Sequence, residues 1–64
     1  MAMYILFVND AVASSHGSAE SARAAAGRFA DSGPNLRIEF RGEGTPNQIW
    51  QYDYDRSEWI LARS

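Results

Sequence analysis

The sequence predicts a small α+β domain in which one helix packs on a four-stranded, mostly antiparallel sheet. Residues 3–8 form a continuous apolar run, and residues 18–32 repeat apolar side chains at the helical period. Most of the remaining chain alternates apolar and polar residues, as half-buried strands do. We predict the order β-α-β-β-β within one domain, since a chain of 64 residues rarely divides.

The first predicted strand is the apolar run 3–8, which is rich in β-branched and aromatic residues. A run without polar alternation indicates a strand covered on both faces. Asn9 and Asp10 end it. The following residues, 11–17, are small and polar and contain the single histidine, His16, so we predict a loop there.

The helix is predicted over 18–32, where a stripe of apolar residues recurs. The stripe consists of Ala19, Ala22, Ala26, Phe29 and Ala30. Gly17 or Ser18 is the expected N-cap. Gly33 and Pro34 form a strong stop signal, because glycine adopts the left-handed conformation and proline does not continue a helix. Gly27 is expected to mark a close approach of the helix to its neighbour.

Three strands and their connections follow. Residues 36–41 alternate strictly between apolar and charged side chains, residues 42–47 have loop composition, and residues 49–54 alternate again. A turn at 55–56 leads into a last strand at 59–62. The two glycines of the 42–47 loop precede a strand rather than a helix, so turn formation explains them better than phosphate binding.

Strand register follows from the pairing of aromatic side chains. The last hairpin is expected to set Tyr52 opposite Trp59 and Trp50 opposite Leu61, and the hairpin before it to set Ile38 opposite Tyr52. These pairings place seven apolar residues on a face that the helix would cover as core: Leu36, Ile38, Phe40, Trp50, Tyr52, Trp59 and Leu61. A right-handed crossover through the helix would place the first strand parallel to the second.

The opposite face of the predicted sheet mixes charged and apolar residues, as a modest protein interface does. We therefore predict a non-catalytic role in protein–protein contacts, as a homodimer and with a larger protein as a further possible partner. The predicted contact residues are Arg37, Arg41, Ile49, Gln51 and Ile60. A chain this short rarely completes a stable core alone, which also favours self-association.

Composition excludes several classes. The chain has no cysteine, which excludes disulfides and thiolate zinc sites. Eight acidic and six basic residues give a net charge of -2, which makes nucleic acid an improbable partner. No apolar run approaches the roughly 20 residues of a membrane-spanning helix, and no basic segment of a signal peptide opens the chain, so we expect a cytoplasmic protein. Arginine without lysine and abundant alanine are typical of a GC-rich bacterial or phage gene.

The alternative is a binder of a small ligand or single-stranded nucleic acid, or an oligomeric enzyme with a shared site. Its residues would be His16, Trp50, Asp53 and Glu58. His16 lies among serines without the spacing of a catalytic triad, so a solvated loop histidine is expected. Asp53 and Glu58 would share one face and could bind a hard cation, but Arg37 beside Asp53 would neutralise the pair. We predict no cofactor and no metal, and the sequence leaves enzymatic activity open.

Overall fold

Five strands and one helix make up the computed structural model, which describes residues 2–42, 44 and 47–63. The elements are β1 (Met3–Val8), β2 (Ala11–His16), α1 (Ala19–Ala30), β3 (Leu36–Arg41), β4 (Gln48–Asp53) and β5 (Glu58–Arg63). All neighbouring strands are antiparallel, in the order β2-β1-β3-β4-β5. The α+β class is confirmed. The predicted 42–47 loop includes positions 43, 45 and 46, which lie outside the described residues.

The strand count is five rather than four because residues 11–16 form β2, where a loop was predicted. Asn9 and Asp10 connect β1 to β2 with φ angles of 51° and 67°. Two consecutive left-handed residues build the tight hairpin turn whose twist suits paired strands, and Asn and Asp tolerate that conformation well. The small polar residues of β2 have low strand propensity, which hid the strand in the sequence.

The extra hairpin also reverses one predicted strand direction. β1 pairs antiparallel with β3, with Leu6 opposite Ile38, so the parallel arrangement of the first two predicted strands is wrong. After the edge strand β2, the chain passes over β1 as helix α1 and returns to the sheet as β3, on the other side of β1. Within the described part of the chain, α1 packs against β1, β2 and β3 and lies away from β4 and β5.

The helix is shorter than predicted and its ends follow ordinary capping chemistry. Ser18 is the N-cap, and its hydroxyl accepts a hydrogen bond from the Ser21 amide at 3.2 Å. Gly33 follows the helix with a φ of 71°, as the stop signal predicts. The close approach expected at Gly27 is wrong, because this glycine is exposed and an added Cβ would meet nothing within 4 Å.

The buried core lies between α1 and the three strands beneath it. It consists of Leu6, Ala22, Ala26, Leu36 and Ile38. Among the described residues, only Leu6 and Leu36 are large side chains that are fully buried. Alanines let the helix lie close to the sheet but bury little apolar area, so this core supplies modest stability for its chain.

The aromatic residues of β4 and β5 lie on the helix side, but the prediction that the helix covers them as core is wrong. Trp50, Tyr52 and Trp59 are half-buried, and Leu61 is 46% exposed. The reason is the position of α1, which reaches only to β3. Tyr52 and Trp59 pack against the edge of the core, and their ring centres are 5.2 Å apart, near edge-to-face.

The last hairpin has the predicted register, with Trp50 opposite Leu61 and Tyr52 opposite Trp59. The β3–β4 register differs by two residues, since Ile38 lies opposite Trp50 rather than Tyr52. A shift of two leaves every side chain on its predicted face, because side chains alternate with a period of two. It shortens the connection between the strands and places Gln51, not Asp53, beside Arg37.

Candidate functional site: the helix-free face of the sheet

The helix-free face is the side of the sheet that points away from α1. Leu6 and Ile38 turn towards the helix and are buried with its alanines, so their odd-numbered neighbours on β1 and β3 point to the other side. The structure brings all five predicted contact residues together there. Arg37, Gln51 and Ile60 are successive register neighbours on β3, β4 and β5, Ile49 lies opposite Glu39, and Arg41 ends β3.

Apolar side chains of β1 and β2 extend this face beyond the predicted residues. Met3, Ile5 and Phe7 lie on β1, and Val12 lies opposite Phe7 on β2. Met3 is 45% exposed and Val12 is 66% exposed. Apolar side chains of the first strand were expected on this face from the sequence, but Val12 was not, because residues 11–16 were predicted as a loop. The helix-free face therefore has apolar side chains on both sides of the charged strand β3.

The charges at the centre of the face are paired with one another. Arg37 Nη1 lies 2.9 Å from Asp10 Oδ1, and Arg37 Nε lies 3.3 Å from Glu39 Oε2 without the alignment of a hydrogen bond. Arg41 Nη2 donates to Glu39 Oε1 at 3.1 Å. Two guanidinium groups thus face two carboxylates, and the centre carries no net charge. Such a surface suits a neutral partner better than a polyanion.

The two carboxylates of the alternative site lie at one end of this face, where Asp53 shapes the turn between β4 and β5. Asp53 lies opposite Glu58, as predicted. Asp53 Oδ1 accepts hydrogen bonds from the amides of Asp55 at 2.9 Å and Arg56 at 3.3 Å. Arg56 Nε lies 3.8 Å from Asp53 Oδ2. The carboxylate of Asp53 therefore has a local structural role, typical of aspartate in turns.

The predicted neutralisation of Asp53 by Arg37 is wrong, because the β3–β4 register places Arg37 beside Gln51. Arg37 pairs with Asp10 and Glu39 instead. Among the described residues, no group of three or more His, Cys, Asp or Glu side chains has the arrangement of a metal site.

The four residues of the alternative site are not brought together. Asp53 and Glu58 belong to the helix-free face, whereas Trp50 lies on the helix side of β4 and His16 lies on the edge strand β2. β1 and β3 separate β2 from β4. A single small ligand on one copy of the chain therefore does not reach all four.

His16 is an ordered structural residue, and the prediction of a solvated loop histidine is wrong. It is half-buried on β2, with Nε2 at 2.7 Å from Ser14 Oγ and Nδ1 at 2.9 Å from Ser21 Oγ. One ring nitrogen donates and the other accepts in the neutral form. Both ring nitrogens are hydrogen-bonded to serine hydroxyls, so the ring links β2 to the start of α1. A catalytic-triad histidine is instead oriented by a carboxylate, which neither nitrogen has as its partner.

Comparison with models of protein families, with curated proteins and with solved structures gives no match for this chain. Among the described residues, no helix is both long enough and apolar enough to span a membrane.

Proposed function

We propose that this chain is a non-catalytic protein–protein interaction module that associates with a second copy of itself through the helix-free face. One observation carries the proposal: no described element covers this face of the five-stranded sheet, and its apolar side chains flank a charge-paired centre. Met3, Val12 and Ile60 are 45%, 66% and 37% exposed on this face. Exposed apolar groups grouped on one surface favour association with another protein.

The size of the face supports a modest interface. Five strands about 4.8 Å apart and six residues rising about 3.3 Å each span a plane of roughly 480 Å². Two such planes in contact remove roughly 960 Å² or more of surface, close to the ~1,000 Å² that specific interfaces exceed. We expect a dissociation constant in the micromolar range, the weak end for specific complexes.

Two features favour a second copy over a charged partner. The charges at the centre of the face cancel in pairs, which involve Arg37, Arg41, Glu39 and Asp10. A partner that covers them therefore buries no unpaired charge. In the part of the chain that the structure describes, the core has only two large, fully buried side chains, and very small domains often gain stability by oligomerisation. A cytoplasmic location and a bacterial or phage origin remain predictions from the sequence.

Light scattering over a concentration series tests the proposal. The mass is expected to rise towards twice the 7.1 kDa of the chain as concentration passes through the micromolar range. A chain that stays at 7.1 kDa up to millimolar concentration would contradict self-association. Binding of a larger, different protein through the same residues would then be the remaining protein–protein interaction.

Charge reversal locates the interface. The double substitution Arg37→Glu and Arg41→Glu places three successive carboxylates on this side of β3, and their repulsion across a symmetric interface should weaken the dimer at least about tenfold. Arg41→Glu alone leaves Arg37 and its contacts with Phe7 and Asp10 in place and should act in the same direction. Arg28→Glu, on the helix, is the matched control and should leave the dimer intact. Equal dissociation constants for all variants would remove this face from the proposal.

A further inference from the structure

A groove runs along the helix side of the sheet, because α1 lies over β2, β1 and β3 but away from β4 and β5. It contains two recesses of about 30 and 190 Å³, and both are lined by Arg23 and Trp59. We call it the aromatic groove and define it by the side chains that form its walls. These are Tyr4, Trp50, Tyr52 and Trp59 of the sheet, with Arg23 and Gly27 of α1.

The two walls differ in character. Apart from Arg23, the helix wall is formed by small residues, and Gly27 leaves open space where a side chain would stand. The opposite wall presents aromatic rings, of which Trp50, Tyr52 and Trp59 are half-buried. A concave apolar site with half-covered tryptophans resembles the pockets that receive anchor side chains at protein interfaces.

Arg23 supplies the charge of the groove. It is exposed, and it has no ion pair or hydrogen bond with any described residue. Arg37, Arg41 and Arg56 each have a carboxylate within 3.8 Å. An unpaired guanidinium between two apolar recesses is complementary to a carboxylate that is carried beside an apolar group.

The volumes decide which class of ligand fits. Recesses of about 30 and 190 Å³ are smaller than the roughly 300–1,000 Å³ of small-molecule sites. The larger recess accepts a single apolar side chain. We propose that the aromatic groove binds an acidic, apolar peptide segment of a partner protein, with one aliphatic or aromatic side chain in the larger recess and a carboxylate paired with Arg23.

The peptide site and the proposed dimer interface lie on opposite faces of the sheet, so one dimer would present two grooves. The two proposals are therefore tested independently. Loss of peptide binding leaves the solution mass unchanged, and loss of the dimer leaves each groove complete.

Selection of random displayed peptides on the immobilised wild-type protein tests the inference. We expect enrichment of peptides that carry Asp or Glu next to Leu, Phe or Trp. The affinity of one enriched peptide, synthesised with a fluorescent label, is then measured by anisotropy. Both tryptophans of the chain line the groove, so their emission should change on binding.

Three variants of α1 decide the site. Arg23→Glu should reduce the affinity at least about tenfold through loss of the charge pair, and Gly27→Trp should do so by filling the groove. Arg28→Glu makes the same change of charge on another side of the helix and should bind within about twofold of wild type. Circular dichroism verifies folding of each variant. Absence of enrichment, enrichment of basic peptides, or equal binding to Arg23→Glu and wild type would overturn the proposal.

Discussion

The guanidinium carbon of Arg37 lies 4.3 Å from the centre of the Phe7 ring. The planar cation covers the ring on the helix-free face, and Phe7 is only 9% exposed. Arg37 therefore joins the apolar side chains of β1 to the charges of β3. The helix-free face is one continuous surface for this reason, rather than an apolar patch beside a separate charged strand.

The Arg37–Phe7 contact should be measurable as a coupling. In a double-mutant cycle with Arg37→Ala and Phe7→Leu, we expect a coupling of about 0.5–1 kcal/mol in the free energy of unfolding. Urea titration of the four proteins gives the value. A cycle with Arg41→Ala in place of Arg37→Ala is the control, and additivity in both cycles would show that the ring and the guanidinium do not stabilise each other.

The raised pKa of Tyr54 predicts that the protein loses stability at alkaline pH. Its hydroxyl donates a hydrogen bond to the carbonyl oxygen of Pro34. Desolvation of the hydroxyl, and to a lesser degree the neighbouring Tyr52, raise the pKa of Tyr54 above its ordinary value of 10.0. The folded state therefore holds this proton more tightly than the unfolded state, so the stabilisation is complete below pH 10 and is lost as the pH rises above it.

Unfolding in urea at a series of alkaline pH values measures the effect. The decrease in the free energy of unfolding above pH 10 should be smaller in Tyr54→Phe than in the wild type. Tyr4→Phe tests whether any tyrosine replacement has the same effect. Identical pH profiles for Tyr54→Phe and wild type would contradict the raised pKa of Tyr54 in the folded state.

His16 should act through the junction of β2 and α1. His16→Ala removes both hydrogen bonds of the ring, and we expect the free energy of unfolding to fall by about 1–2 kcal/mol. Ser14→Ala removes one of the two and should cost about half as much. Hydrogen exchange locates the change, since amides of β2 and the first turn of α1 should lose protection first. Wild-type stability in His16→Ala would mean that these hydrogen bonds contribute nothing to the fold.

Two glycines of the helix region should respond in opposite directions. Gly27→Ala should raise the free energy of unfolding by about 1 kcal/mol, because the site is exposed and alanine is the better helix former. Gly33→Ala should lower it by about 1–2 kcal/mol, because a Cβ is strained at a φ of 71°. Thermal and urea unfolding measure both. A change of the same sign in the two variants would contradict the assigned backbone conformations.

Most of the sheet was predictable because its residues alternate. The pattern in β3, β4 and β5 assigns each side chain to its face, and this places Arg37, Gln51 and Ile60 on one face from the sequence alone. A two-residue error in the β3–β4 register changed the partner of Arg37 but not the face on which it lies.

The missed features depend on contacts that sequence periodicity does not report. Asn9 and Asp10 are typical of a two-residue hairpin turn, but the poor strand formers that follow them concealed β2. Without β2, the position of α1 over β2, β1 and β3 was not predictable. The aromatic groove follows from that position alone, and the unpaired state of Arg23 is likewise a property of the folded chain.

Two adjacent residues of β5 test the interface most directly. Ile60 points to the helix-free face and is 37% exposed, while Leu61 points to the helix side and is 46% exposed. In light scattering, wild type and Leu61→Asp should both approach twice the chain mass of 7.1 kDa, whereas Ile60→Asp should remain at 7.1 kDa. A dimer of Ile60→Asp as stable as that of wild type, or a wild-type chain that stays monomeric, would contradict association through the helix-free face.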